Sequence, residues 1–231
     1  MNGTLFSVGT PIGNLDDITY RAIEILKFVD LIICEDTRHS RILFNKYNIK
    51  TKYISYHEHS KIIKREYILS QLIDGKNVAM ISDAGTPGIC DPGELLIEEV
   101  VKKGINVAPI PGPSAVVSAL SVSGFPTERF LFLGYPPRKK GRQTFLRNIT
   151  ESANLKLYQT LVFYESPYRI IRSLEDFHLA LGDMQVTVAR EITKKFEEVF
   201  RGKLSDAIEY FKNKKILGEF AVCIKNEQKL K

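Results

Sequence analysis

Cysteine is scarce in this chain: Cys34, Cys90 and Cys223 are the only three in 231 residues. Their spacing matches no metal motif, and any disulfide would leave one thiol over, which fits a protein kept in a reducing cytoplasm. Long apolar runs are missing too, so no membrane-spanning segment is expected. The first residues read as a strand and lack the pattern of a signal peptide. Neither a Walker loop nor a G-x-G-x-x-G is found, which removes the common phosphate-binding fingerprints. No Ser–His–Asp or Cys–His arrangement stands out, so covalent catalysis is not favoured. Internal repeats and low-complexity stretches are also lacking. What remains is the composition of an ordinary globular chain, 44% hydrophobic and 26% charged, long enough for one large domain or two small ones. The net charge of +6 and pI near 9.1 suit an anionic partner such as nucleic acid, a balance shared by many lysine-rich proteins.

The first half alternates strands and helices. Thr4 to Val8 reads as a strand, followed by the loop Gly9-Thr10-Pro11-Ile12-Gly13-Asn14 and a helical stripe of Ile18, Ala22, Ile25, Leu26 and Val29. Leu31 to Cys34 and Val78 to Ile81 are short buried strands, and Val107 to Ile110 is another. A helix capped by Ser60 and stopped by Gly75 lies between them, and Leu96, Ile97, Val100 and Val101 mark the inner face of the next. Strands separated by helices predict a parallel sheet with right-handed crossovers. The proline-rich segment Pro109 to Ser114 marks a boundary, placed so that residues 1–112 and 113–231 form two α/β domains. In the second half, strands are expected at Arg129 to Tyr135, Leu161 to Tyr164, Val186 to Ala189 and Phe220 to Ile224. A helix capped by Ser114 ends at Gly124, and another, carrying Ile170, Leu174, Phe177, His178 and Leu181 on one face, ends at Gly182. Fewer helices per strand predict a mixed sheet there.

Six places carry chemistry. The segment Ser82 to Gly93 holds Gly85, Gly88, Gly93, Pro87 and Pro92 at the carboxyl end of a strand. A long, stiffened loop at such a place reads as a ligand loop, because open α/β sheets bind there. The Gly9–Gly13 loop reads equally as a ligand contact or a simple turn. Glu35-Asp36-Thr37-Arg38 ends another strand, where a carboxylate can accept a proton or Arg38 can merely neutralise its neighbours. Arg138-Lys139-Lys140-Gly141-Arg142, extended by Arg147, either binds phosphates or is a solvated loop. Glu165-Ser166-Pro167-Tyr168-Arg169 and the charged run from Arg190 to Glu198 crowd charge at further strand ends. His57-Glu58-His59 shares a strand face but lacks a third ligand, so an exposed or RNA-facing rim is preferred to a metal site. His178, on an apolar stripe, is expected to be packed and hydrogen-bonded.

Six segments in register resemble the tetrapyrrole methylase-like family, in its branch of small-subunit ribosomal RNA cytidine 2′-O-methyltransferases. They are Gly9 to Leu15, Glu35 to Arg38, Ser82 to Gly93, Pro111 to Ala115, Phe163 to Pro167 and Arg190 to Lys195, spanning nearly the whole chain. The resemblance implies two α/β domains with S-adenosylmethionine in the cleft between them, and a cytoplasmic homodimer acting on ribosomal RNA or the assembled small subunit. Carried over by position, Ile12, Thr86, Ile89, Ser114, Ala115, Phe163, Tyr164 and Ala189 would contact the cofactor through backbone and apolar groups. Members of the branch usually have histidine where Tyr168 stands and serine where Cys90 stands, and many continue past the last strand. For the methyl transfer this implies, Glu35, Asp36 and Glu191 are the candidate proton acceptors, with Arg38 orienting phosphate or carboxylate. Arg138, Lys139, Lys140 and Arg142 are the candidate RNA contacts, and the chemistry requires no metal. The rival readings are the same fold methylating a small tetrapyrrole, and a non-catalytic RNA- or ribosome-binding protein.

Overall fold

The computed structural model describes residues 1–57 and 62–227. The chain divides into two compact units, Met1–Ser114 and Ala115–Lys231.

The first unit is built on five strands: β1 (Thr4–Val8), β2 (Leu31–Cys34), β3 (Tyr53–Ser55), β4 (Val78–Met80) and β5 (Asn106–Ile110). They pair in the order β3-β2-β4-β1-β5, every pair parallel. Every residue of β2 and β4 is buried, as a parallel strand covered by helices on both faces requires. Helices α1 (Tyr20–Phe28) and α2 (Thr37–Lys46) cover one face, burying Ala22, Leu26, Leu43 and Phe44 against Val8, Ile32 and Ala79. Helices α3 (Ile62–Ile73) and α4 (Glu94–Lys102) cover the other, burying Ile68, Leu72, Leu96 and Val100 against Leu5, Ile33 and Met80. Val101 faces solvent, at 58% exposure, and does not join the inner stripe predicted for it. The expected helix cap Ser60, with Glu58 and His59, lies outside the described residues.

The second unit pairs β6 (Phe130–Phe132), β7 (Thr160–Glu165), β10 (Phe220–Lys225), β8 (Gln185–Arg190) and β9 (Glu198–Lys203) in that order. β6 and β7 are parallel and the remaining pairs antiparallel, so the sheet is mixed. Helices α6 (Arg142–Asn154), α7 (Ile170–Leu181) and α8 (Leu204–Lys212) bury Leu146, Leu174, Phe177 and Phe211 on one face. Helix α5 (Ala115–Ser123) buries Val116, Ala119 and Leu120 on the other, with Phe125 packed against them. His178 sits in the last turn of α7, where its Nδ1 lies 3.4 Å from Asp183 Oδ1 without hydrogen-bond geometry. The bond expected for this residue is not made at that atom.

Candidate functional site

Three strand-end loops of the first unit are tied together backbone to backbone. After β1, the Gly9 N–H donates to Ile110 O at 3.0 Å. A Cβ on Gly9 would lie 2.8 Å from the Gly112 nitrogen and Cα, and one on Gly112 would lie 2.8 Å from the Gly9 carbonyl. Only two glycines allow that approach. Thr10 then bridges to the long loop after β4: Thr10 N–H donates to Gly85 O at 2.8 Å and Gly85 N–H to Thr10 O at 3.1 Å. The Thr10 hydroxyl also donates to Ser82 O at 3.1 Å. The long loop turns through left-handed conformations at Gly85, Gly88, Cys90 and Gly93, and this shape brings it back over the sheet edge. The Asp36 N–H donates to Asp83 Oδ1 at 3.1 Å, which anchors the end of β2 to the same loop. Asp83 is thus an architectural carboxylate.

These loops carry Ile12, Thr86, Ile89 and Ser114. Ile12 is buried with its Cγ2 3.5 Å from where a Gly85 Cβ would stand, Thr86 and Ser114 are half-buried, and Ile89 is 51% exposed. The set presents apolar side chains, a hydroxyl pair and crowded backbone. That chemistry fits S-adenosylmethionine, whose sulfonium is repelled by cations and whose adenosine is held by backbone groups. Ala115 opens α5, and Tyr164 packs against the α5 side of its sheet beside Ala189 and Val162. Phe163 differs. It is fully buried on the opposite face, stacked on Phe177 at 4.6 Å, because successive strand residues point to opposite sides. Its side chain is part of the core and not of a pocket shared with Tyr164. Ala189 is likewise fully buried among the residues packed under α5, with no face left for a ligand.

The four candidate catalytic residues also separate. Asp36 caps α2, accepting the Arg38 N–H at 2.8 Å, and Arg38 Nη2 closes on its Oδ2 at 2.6 Å. The Arg38 guanidinium and backbone N–H hold the Asp36 carboxyl well below the usual carboxylate range. Asp36 and Arg38 therefore satisfy each other, the loop-ordering alternative of the sequence reading. Glu191 adopts a left-handed φ of 50°, lies against Gly218, and accepts from Lys194 Nζ at 2.9 Å and Glu219 N–H at 3.0 Å. Burial pushes its carboxyl up, but those two donors and the nearby cations outweigh it, leaving the pKa below the ordinary value. Such a carboxylate is a poor proton acceptor, and Glu191 orders the loop after β8.

Glu35 is placed differently. It is half-buried at the end of β2 and lines a cavity of about 570 Å³ with Tyr56, His57, Cys90, Asp91 and Leu95. That volume lies in the range of small-molecule sites.

The basic segment is divided as well. Arg138, Lys139 and Lys140 are exposed. Arg142 is 4% exposed, and its guanidinium donates to Asp176 Oδ2 at 2.5 Å, Pro137 O at 2.8 Å and Ser173 Oγ at 3.0 Å. It cannot also hold a phosphate, which corrects its assignment as an RNA contact. The helical stripe Arg142, Leu146, Ile149, Ala153, all buried, is the signal that shows it turning inward. Among the described residues no cluster of three or more His, Cys, Asp or Glu side chains is placed to hold a metal, and no helix is long and apolar enough to cross a membrane.

Known proteins extend this picture. "Ribosomal RNA small subunit methyltransferase I" of Thermotoga maritima is 47% identical over 226 residues, covering 98% of this chain and all of that protein. The protein of the same name from Bacillus subtilis is 41% identical, covering 96% of this chain and 75% of its own length. Among solved structures, a cobalt precorrin-4 methyltransferase superposes with a TM-score of 0.71 at 16% identity, over 96% of this chain and 94% of that one. A diphthine synthase does so at 0.71 and 13% identity, over 96% and 90%. At such low identity these two show the shared fold. A model of the tetrapyrrole (corrin/porphyrin) methylases matches residues 4–208, and the chain belongs to that family.

Proposed function

We propose that this protein is an S-adenosylmethionine-dependent methyltransferase that methylates the ribose 2′-oxygen of a cytidine in small-subunit ribosomal RNA. The observation that carries the reading is its 47% identity, over 98% of the chain, to a protein named as a small-subunit ribosomal RNA methyltransferase. The strand-end loops support it, since they build an uncharged, backbone-rich site for the cofactor beside a cavity that holds Glu35. A cytoplasmic homodimer belongs to the same reading, as the resemblance implies.

When bound, S-adenosylmethionine supplies the electrophilic methyl group. Ile12, Thr86, Ile89 and Ser114 on the first unit's loops would hold it. The chain's own task is to place the ribose oxygen in line and to exclude competing water. Glu35 is the candidate to receive the hydroxyl proton because it lines the cavity at the end of β2, while the partners of Asp36 and Glu191 lower their basicity.

Incubating the protein with small ribosomal subunits or their RNA and methyl-labelled S-adenosylmethionine tests this. The expected product is one labelled cytidine whose 3′ linkage resists alkali, with Glu35→Gln slowing turnover about 100-fold at unchanged cofactor affinity. Label on a base, label on a tetrapyrrole but not on RNA, or an undiminished Glu35→Gln enzyme would refute the corresponding part.

A further inference from the structure

Between β6 and α6 the chain turns through Tyr135-Pro136-Pro137-Arg138-Lys139-Lys140-Gly141. Two consecutive carbonyls of this turn are held by guanidinium groups. Arg169 Nη1 donates to Pro136 O at 3.0 Å and Arg142 Nη1 to Pro137 O at 2.8 Å. Each arginine is fixed from behind by an acid: Arg169 Nη2 lies 2.7 Å from Glu165 Oε1, and Arg142 Nε 2.5 Å from Asp176 Oδ2. Ser173 joins the two pairs, donating to Glu165 Oε2 at 2.5 Å and accepting from Arg142 Nη2 at 3.0 Å. The Glu165 side chain has no exposure and that of Arg142 only 5%. A solvated surface loop has no use for so many buried charges, since desolvating them costs more than an apolar contact would.

What this network holds in place is a specific surface. Arg138, Lys139 and Lys140 are exposed on a turn closed by the Arg142 N–H to Lys139 O bond at 3.2 Å, with Gly141 left-handed at φ 81°. The residues next to the two Arg169–Pro136 partners are exposed tyrosines: Tyr135 at 50% and Tyr168 at 95%. The Tyr135 ring is backed by Tyr164 at 5.6 Å, itself against Phe132 at 5.0 Å. Three cations and the Tyr135 face are thus presented by one rigid turn, to which Arg169 ties the loop before α7 that carries Tyr168.

We propose that this surface is a binding platform for single-stranded RNA. Arg138, Lys139 and Lys140 take successive phosphates, Tyr135 and Tyr168 stack on unpaired bases, and Arg142 and Arg169 are positioning residues that fix the platform. The proposal rests on the reading that the substrate is RNA, and it names the strand form and the residues that grip it. Aromatic faces reward unpaired bases, whose rings are free, over a duplex whose rings are already stacked. Prefixing the loop removes the ordering cost of binding.

Fluorescence anisotropy of the full chain with a labelled single-stranded RNA oligonucleotide, and with its duplex, between 50 and 200 mM KCl tests it. Tyr135→Ala with Tyr168→Ala is expected to weaken single-strand binding about tenfold or more while leaving the salt slope intact. Neutralising Arg138, Lys139 and Lys140 to alanine should reduce that slope by about 2. Ser173→Ala, the mildest break in the network, should weaken binding in the native background and weaken it less in the neutralised one. The same variant should raise KM for RNA far more than it lowers kcat. All of these positions except Ser173 are solvent-exposed, so the tyrosine and basic variants fold whatever the fate of Ser173→Ala. Equal affinity for duplex, an unaffected tyrosine variant, or additive effects of Ser173→Ala would overturn the platform, the stacking or the positioning role respectively. Methyl transfer by the unaltered chain is measured in parallel. Binding as described without methyl transfer would sink the methyltransferase reading alone, and methyl transfer with unchanged KM in the surface variants would sink the platform alone.

Discussion

Replacing Gly9 by alanine places a methyl group 2.8 Å from the Gly112 nitrogen and Cα. Ordinary carbon contacts begin near 3.5 Å, so the loops after β1 and β5 must separate by about 0.7 Å. Both partners are backbone, so no side chain can swing aside to absorb the strain. Overpacking of this kind costs about 1–3 kcal/mol, and in a chain of 231 residues a loss near 2 kcal/mol lowers Tm by about 4–8 °C. The larger effect should be functional. The same displacement pulls on the Thr10–Gly85 bridge and spreads Ile12 from Thr86 and Ile89, so S-adenosylmethionine affinity should fall about tenfold or more. The matched control is Gly104→Ala, where a Cβ meets nothing within 4 Å and only a φ of 67° resists it. That variant should lose about 1–2 kcal/mol of stability and no cofactor affinity. Calorimetric titration of cofactor into both variants, with thermal melts, decides. A Gly9→Ala protein that binds the cofactor as tightly as the unaltered chain would refute the site assembled from these loops.

Other outcomes follow from single groups. Ellman's reagent under native conditions should modify one thiol per chain, lost in Cys90→Ser, because Cys34 and Cys223 are buried and burial pushes the Cys223 thiol up to about 12. Thr10→Val keeps the shape but removes the hydroxyl that serves Ser82 O, and should lower stability by about 1 kcal/mol in denaturant melts. Although burial raises Glu198, hydrogen bonds from Lys214, Tyr210 and Arg190 bring its pKa down to about 2. A depressed acid contributes stability that is complete above the unfolded value of 4.5 and disappears as the pH falls toward about 2. Acid unfolding of Glu198→Gln, set against the unaltered chain, should therefore show a smaller loss across that window, and an identical acid profile would remove Glu198 from the account.

The strands that a reader of the sequence finds are those buried on both faces. Leu31 to Cys34 and Val78 to Met80 are unbroken apolar runs because helices cover both sides. β9 escapes notice because Glu-Val-Phe-Arg-Gly-Lys is an edge strand with no fully buried position. β3 is three residues long with none fully buried. α2 is hidden for another reason. Only Ser40, Leu43 and Phe44 point inward, so Glu35-Asp36-Thr37-Arg38 reads as a charged loop although Asp36 is already a helix cap. Within the site, the cofactor positions proposed on the first unit's loops come from the family resemblance alone. The separation of Phe163 from Tyr164 was available from strand alternation, and the inward turn of Arg142 from its place one turn before Leu146. The contact of Gly9 with Gly112 was not legible. It joins residues distant in the chain and leaves no mark except two glycines.

The strand-end charges that dominate the sequence thus do two separate kinds of work. Asp36, Asp83 and Glu191 spend their lone pairs on backbone N–H groups and neighbouring cations, and the resulting depression of Asp36 and Glu191 makes both weak bases. With their basicity lowered in this way, these two carboxylates offer little driving force for proton acceptance. In-line methyl transfer gains chiefly from holding the oxygen behind the methyl at attack distance, and a displacement of about 1 Å there costs orders of magnitude in rate. Rigidity of the loops is therefore the catalytic resource. It comes from the Gly9–Gly112 contact, the Thr10–Gly85 bridge and the Asp83 anchor, which explains why carboxylates placed where an acid–base pair is expected are used to hold backbone.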